Sequence, residues 1–268
     1  MTTPHDTGTE MLLCEVDDGI ATVTFNNPAK RNALSADIRH ALPDLLDWLK
    51  GSDEVRVVVL TGAGDQAFVS GADISEFAEQ RTDPEARAAY DRTFADADRA
   101  WYALDKPIIA MIRGFCIGGG LLTAMKADIR IAADDAQFGV PAARLGLGYG
   151  FGGIDGLVRL IGPAHTSELL FSARRYTAAE AHHMGLVNRV VTIDDLRDEV
   201  MDLAQRICAN APLTVAACKV GIQQTQRDPD RRDMERVNAM VDACFGSADY
   251  REGQKAFIDK RTPQFEGR

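Results

Sequence analysis

The sequence predicts an α/β protein with a largely parallel sheet, followed by a helical C-terminal region. Three observations carry this reading. Apolar runs at 55–60 and 107–112 alternate with helical stretches, the pattern of strand–helix–strand units. Two glycine-containing turns, Ser70-Gly71-Ala72 and Gly118-Gly119-Gly120, each join a strand to a helix. From Gly153 onward the pattern is helical almost to the end.

Taken in order, residues 12–16 and 20–25 form a hairpin, with Asp17-Asp18-Gly19 as its turn and β-branched residues in its second strand. Asn26 to Asn32 is a polar loop. Ser35 N-caps a helix over 36–50, whose apolar positions Ile38, Leu42, Leu45, Leu46 and Leu49 recur at helical spacing. A continuous apolar strand follows at 55–60, and a second strand leads into Gly71. A long helix covers 84–104. The strand at 107–112 runs into the glycine stretch 114–120, and the next helix opens at Leu121. Strands are expected again at 128–132 and 136–139. The helices expected after that cover 153–161, 164–171, 178–184, 194–209, 213–225, 230–245 and 248–260.

Residues 1–10 are polar, lack an apolar segment and are expected to be a disordered tail rather than a signal or transit peptide. A composition shift near 205 divides the remainder into a core over 11–205 and a helical subdomain over 206–268. With 268 residues, 46% of them hydrophobic and 26% charged, the chain is long enough to bury a sizeable core. The formal net charge of -10 argues against a nucleic-acid partner, which needs a basic footprint. No apolar run approaches the roughly 20 residues of a membrane helix. Cys14, Cys116, Cys208, Cys218 and Cys244 are odd in number and form no CxxC pair, which reads as reduced thiols in a cytoplasmic protein with no zinc site.

Gly148-Tyr149-Gly150-Phe151-Gly152-Gly153 matches GxGxxG in letters alone, because neither a strong preceding strand nor the acidic residue of a dinucleotide site accompanies it. A GxSxG elbow, a phosphate-binding GxxxxGK[ST] loop and HExxH are absent, and the histidines lie outside metal-ligand spacing. No metal is expected. The glycine turns carry more information. Bare backbone N–H groups at a strand-to-helix junction suit a negative oxygen. Two such donors meeting at one carbonyl form an oxyanion hole.

Several stretches in this order resemble the crotonase, or enoyl-CoA hydratase/isomerase, superfamily. They are Asn27-Pro28-Ala29-Lys30-Arg31-Asn32-Ala33-Leu34, Phe68-Val69-Ser70-Gly71-Ala72-Asp73-Ile74, and Lys106-Pro107 onward into Gly118-Gly119-Gly120. Ala127-Asp128-Ile129-Arg130-Ile131-Ala132, Ala136-Gln137-Phe138-Gly139 and Gly185-Leu186-Val187-Asn188 complete the set. The resemblance spans Val16 to Phe265. It implies a spiral of ββα repeats with a C-terminal helical trimerisation subdomain, and a homotrimer or a dimer of trimers. It implies an acyl-CoA ligand, with coenzyme A brought as part of the thioester substrate and no permanently bound cofactor. The implied oxyanion donors are the N–H groups of Ala72 and Gly119, with Gly71 and Gly118 allowing close approach. Coenzyme A is expected along Ala29, Lys30, Arg31, Ala33, Ser70, Asp73 and Ile74, and at Phe257 and Lys260, often across a subunit boundary.

Hydratases of this family use two glutamates. One lies three positions after the middle glycine, where this chain has Leu122. The other follows Phe-Gly-x-Pro, where this chain has Ala142. Neither side chain carries a proton, so standard hydration is expected to be crippled. Tyr149 and Asp155, which flank the glycine cluster bordering the acyl pocket, are the candidate replacements. Arg144 reads as an exposed or structural charge, and Cys116 as a buried small hydrophobe. The resemblance therefore implies an acyl-CoA enzyme with an oxyanion hole and non-standard acid–base groups, open to isomerisation, retro-Claisen or thioester hydrolysis, or decarboxylation. The alternative is a non-catalytic acyl-CoA-binding or regulatory protein.

Overall fold

A computed structural model describes residues 2–73 and 84–268. Its architecture is a spiral in which successive strands alternate between two sheets. The first hairpin pairs β2 (Leu12–Asp17) with β3 (Ile20–Phe25), and its turn residues Asp18 and Gly19 take φ of 47° and 80°, the mirror-image turn that matches strand twist. Three units then follow. β4 (Val57–Gly62) and β5 (Ala67–Val69) precede α2 (Pro84–Ala103); β6 (Ile108–Ile112) and β7 (Phe115–Ile117) precede α3 (Gly119–Ala124); β8 (Ile129–Ala133) and β9 (Gln137–Gly139) precede α4 (Phe151–Ser172). Each unit lays its first strand in a seven-stranded sheet and its second in a four-stranded one. The last two strands, β10 (Tyr176–Thr177) and β11 (Arg189–Val191), complete the sheets, with α5 (Ala178–His183) between them. The larger sheet runs β1-β2-β3-β4-β6-β8-β11 and the smaller β10-β9-β7-β5. From β3 to β11 every pair in the larger sheet is parallel.

Parallel strands covered on both faces need apolar residues at every position. Val58 and Leu60 of β4 pack in the main core with Phe25, Phe68 and Phe138. Val57 and Val59 point the other way, against Leu196, Val200 and Ala204 of α6 (Leu196–Cys208). The helix α1 (Ala36–Gly51) buries the five apolar positions its periodicity marks, and the Ser35 hydroxyl accepts from Ile38 N at 3.4 Å.

Three expectations need correction. The first residues are not a disordered tail. β1 (Thr3–His5) pairs antiparallel with β2, and the His5 ring stacks on Trp48 at 3.6 Å. Backbone pairing to an open sheet edge does not depend on apolar side chains, and Pro4 is tolerated on an edge strand. The boundary at 205/206 falls inside α6, which packs on the larger sheet and so belongs to the core. The glycine stretch after β6 is not one turn, because β7 lies within it. Gly114, at φ 62°, turns the chain from one sheet to the other; a Cβ there would stand 2.1 Å from Gln66 O.

The expected break between two helices near 162 is present as a kink at Gly162 (φ 76°, ψ 166°) within α4. The chain closes with α7 (Pro212–Thr225), α8 (Met234–Gly246) and α9 (Ala248–Asp259). The buried Asp249 carboxylate accepts from Glu266 N and Gly267 N, both at 2.8 Å, and ties the final residues back onto α9. Asp249→Ala leaves those amides unmet. It is expected to lower the unfolding free energy by about 1–3 kcal/mol, measured by urea denaturation. Among the described residues, no helix is long and apolar enough to cross a membrane.

Candidate functional site

The site is built where the loop after β3 meets the loop after β5. Asn32, fully buried at φ 57°, holds the first loop: its amide donates to Ala63 O and Ala67 O at 2.9 and 2.8 Å, and its oxygen accepts from Asn27 N at 3.0 Å. Three backbone bonds then zip the two loops together: Ser70 N to Arg31 O, Leu34 N to Gly71 O, and Asp73 N to Leu34 O, at 3.1, 2.8 and 3.2 Å. Lys30 and Asp73 add an ion pair of 2.6 Å. In this parallel bridge Leu34 uses the groups on either side of Ala72, so the Ala72 N–H points to the other side.

The first residue of α3 meets it there. Gly118 N donates to Gly139 O at 2.8 Å, which fixes the turn. Gly120 fits directly under β5, since a Cβ on it would stand 1.9 Å from Val69 O. A Cβ on Gly119 would lie 3.4 Å from Ala72 N, and one on Gly71 would lie 3.9 Å from Gly119 N. Among the described residues neither the Ala72 nor the Gly119 amide has an acceptor. Two unused donors side by side suit an oxygen that gains negative charge during a reaction.

Beside this pair opens a cavity of about 190 Å³ lined in part by Arg31, Ser70, Ile117, Pro141, Arg144 and Arg175. Two guanidinium groups lie over the Phe115 ring, Arg31 at 5.1 Å and Arg175 at 5.0 Å. Among the described residues no carboxylate pairs with Arg31, Arg144 or Arg175, whereas Arg174 on the same wall is held by Glu168 and Glu180 at 3.1 and 2.8 Å. A basic pocket in a chain of net charge -10 is a place for an anionic ligand.

A profile for enoyl-CoA hydratase/isomerase matches residues 15–268. The chain belongs to the enoyl-CoA hydratase/isomerase family. It is 36% identical to the short-chain-enoyl-CoA hydratase of Clostridium acetobutylicum, over 93% of this chain and 95% of that one. It is 37% identical to the crotonyl-CoA hydratase of Syntrophomonas wolfei, over 96% and 98%. The crystal structure of an enoyl-CoA hydratase/carnithine racemase from Magnetospirillum magneticum superimposes with a TM-score of 0.91 at 36% identity, covering 97% of each chain. The crotonase-like spiral expected from the sequence is the fold observed.

Within this family framework the expected site residues divide. The structure brings together Ala29, Lys30, Arg31, Ser70, Ala72, Asp73 and Gly119. Ala33 and Asp73 are buried, so they shape the loops and offer little surface to a ligand. Ile74 lies outside the described residues. Phe257, on α9, and Lys260, its C-cap, sit apart from the rest; Phe257 is 87% exposed.

Asp155 does not join the site. It pairs with Arg159 at 2.8 Å, on the side of α4 opposite Gly153 and Leu157, because two helical residues advance by about 200°. Tyr149 does come in: its ring lies against Gly153 beside Leu122. Leu122 is partly buried and Ala142 buried, so no carboxylate enters from either position. Cys116 is fully buried and its thiol pKa is pushed up by burial, as a small hydrophobe should be. Arg144 is exposed, as expected, and it also lines the basic cavity. Arg175, and the grouping of Arg144 with Arg31, escaped sequence reading because these residues converge only in space.

Proposed function

We propose that this family member binds a coenzyme A thioester and polarises its carbonyl between the Ala72 and Gly119 amides, stabilising an enolate or tetrahedral oxyanion. The observation that carries this is the pair of side-by-side amides without acceptors among the described residues. Coenzyme A is part of the substrate on this reading, and no resident cofactor or metal takes part. Its phosphates pass the cavity beside Arg31, Arg144 and Arg175, whose guanidinium groups match phosphate oxygens. Phe257 and Lys260 reach the nucleotide end across a subunit boundary in a homotrimer or a dimer of trimers. The exposed apolar residues Phe245, Phe257 and Ile258 on α8 and α9 support such an assembly.

The reaction itself departs from standard hydration, because Leu122 and Ala142 carry no proton. The same two residues favour a second reading, in which the protein binds acyl-CoA without turning it over.

Calorimetric titration of the purified protein with butyryl-CoA tests the proposal. Binding is expected, and no detectable heat with short-chain thioesters overturns it. A hydrogen bond to a charged group is worth about 1.5–3 kcal/mol, so R144Q together with R175Q is expected to weaken butyryl-CoA about tenfold or more. Butyryl-pantetheine, which lacks the phosphates, is expected to bind both proteins equally. Equal losses for the two ligands rule out the phosphate assignment.

A further inference from the structure

Tyr149 carries a polar group that the described residues leave unused. It lies between the turn at Pro141–Leu145, which bears Ala142, and the start of α4. A Cβ on Gly153 would come within 2.9 and 3.4 Å of the Tyr149 ring atoms Cε1 and Cζ, and within 3.3 Å of Leu122 Cδ2. The ring therefore stands beside the residue one turn along α3 from the Gly119 amide. Its hydroxyl is buried and has no hydrogen-bond partner among the described residues. A buried hydroxyl without a partner is destabilising, and phenylalanine fills the same space without that penalty. Burial alone holds the phenol above its ordinary pKa, so it keeps its proton and donates rather than accepting one.

Among the described residues, the neighbouring positions offer no other proton carrier. Leu122, Ala142 and Gly153 have none, Asp155 faces away with Arg159, and Cys116 is sealed in the core. One turn of helix is about 5 Å, the scale that separates a thioester carbonyl from a substituent further along the acyl chain.

We propose that the Tyr149 hydroxyl donates a hydrogen bond to an oxygen substituent on the acyl chain, and so selects 3-hydroxyacyl thioesters over saturated ones. This rests on the reading that a coenzyme A thioester lies at Ala72 and Gly119. Tyr149 is then a positioning residue: it orients the acyl chain while the two amides hold the carbonyl. The misfit of an unsatisfied hydroxyl in the free protein is the trace of that role.

Calorimetric titrations of the natural protein and Tyr149→Phe with 3-hydroxybutyryl-CoA and butyryl-CoA, alongside thermal melts, test this. The natural protein is expected to bind the hydroxylated ligand about tenfold more tightly, the yield of one well-placed hydrogen bond. Tyr149→Phe is expected to lose that preference, keep its affinity for butyryl-CoA, and melt at the same temperature or higher. A preference that survives in Tyr149→Phe overturns the proposal. So does a lower melting temperature with both ligands weakened equally, which marks a structural hydroxyl. If the natural protein binds both ligands without preference, only this inference falls; if it binds neither, the thioester reading falls with it.

Discussion

Crotonyl-CoA hydration is expected to rise by about 10²–10⁴ when Leu122→Glu and Ala142→Glu are introduced together, the usual worth of positioned acid–base groups. Position 122 lies one turn from the Gly119 amide, beside Gly153 and Tyr149. Position 142 is buried on the turn after Pro141, and Pro141 Cδ would stand 3.9 Å from a Cβ on Gly118. Both new carboxyls therefore enter next to the amide pair. The Tyr149 hydroxyl, without a partner among the described residues, gives one of them a donor, and partial burial moves a carboxyl pKa upward, toward the range of a general acid. Loss of the conjugated-thioester absorbance follows the reaction. Two results would sink the view that the missing carboxylates limit this protein: turnover at ordinary hydratase rates by the natural sequence, or no gain in the double variant.

Gly119→Pro is expected to remove about 10²–10³ of that turnover, the usual loss for one oxyanion donor. Proline is suited to this position. Gly119 is the first residue of α3, where a missing N–H breaks no helical bond. An added Cβ meets Ala72 N, Leu34 Cδ1 and Gly71 C at 3.4, 3.5 and 3.6 Å, close but without collision. The substitution thus deletes one donor with a Cβ that the turn has room for. The clearest measurement is kcat in the Leu122→Glu, Ala142→Glu background, where hydration is rapid enough to follow a large fall. Undiminished kcat means that the Gly119 amide does not face the developing charge.

Some of this molecule can be read from neighbours in the chain. The Asp18-Gly19 turn, the Ser35 cap and the five buried positions of α1 follow rules that act within four residues, and each stands where those rules put it. The kink near Gly162 follows from a glycine–proline pair in the same way. The two glycine turns were also legible as sites of bare backbone. Their family context showed that they belong together.

Other features depend on partners far away in sequence. β1 forms because β2 offers an open edge, whatever the polarity of residues 3–5. β7 was hidden because Phe115-Cys116-Ile117 is too short to declare a strand, and its pairing to β5 and β9 is non-local. Asp155 and Tyr149 looked equivalent beside one glycine cluster, until the fold sent one outward to Arg159 and packed the other against Gly153.

The chain alone thus determined the strand–helix order, the glycine junctions at Gly71 and Gly118–Gly120, and the apolar side chains at Leu122 and Ala142. Only the tertiary structure decided that Leu34 pairs around Ala72 and turns the Ala72 N–H toward Gly119. It also decided that Arg31, Arg144 and Arg175 share one wall. The physical reason is range: dihedral preference and periodicity act over a few residues, whereas a binding surface is assembled by sheet register between segments more than a hundred residues apart.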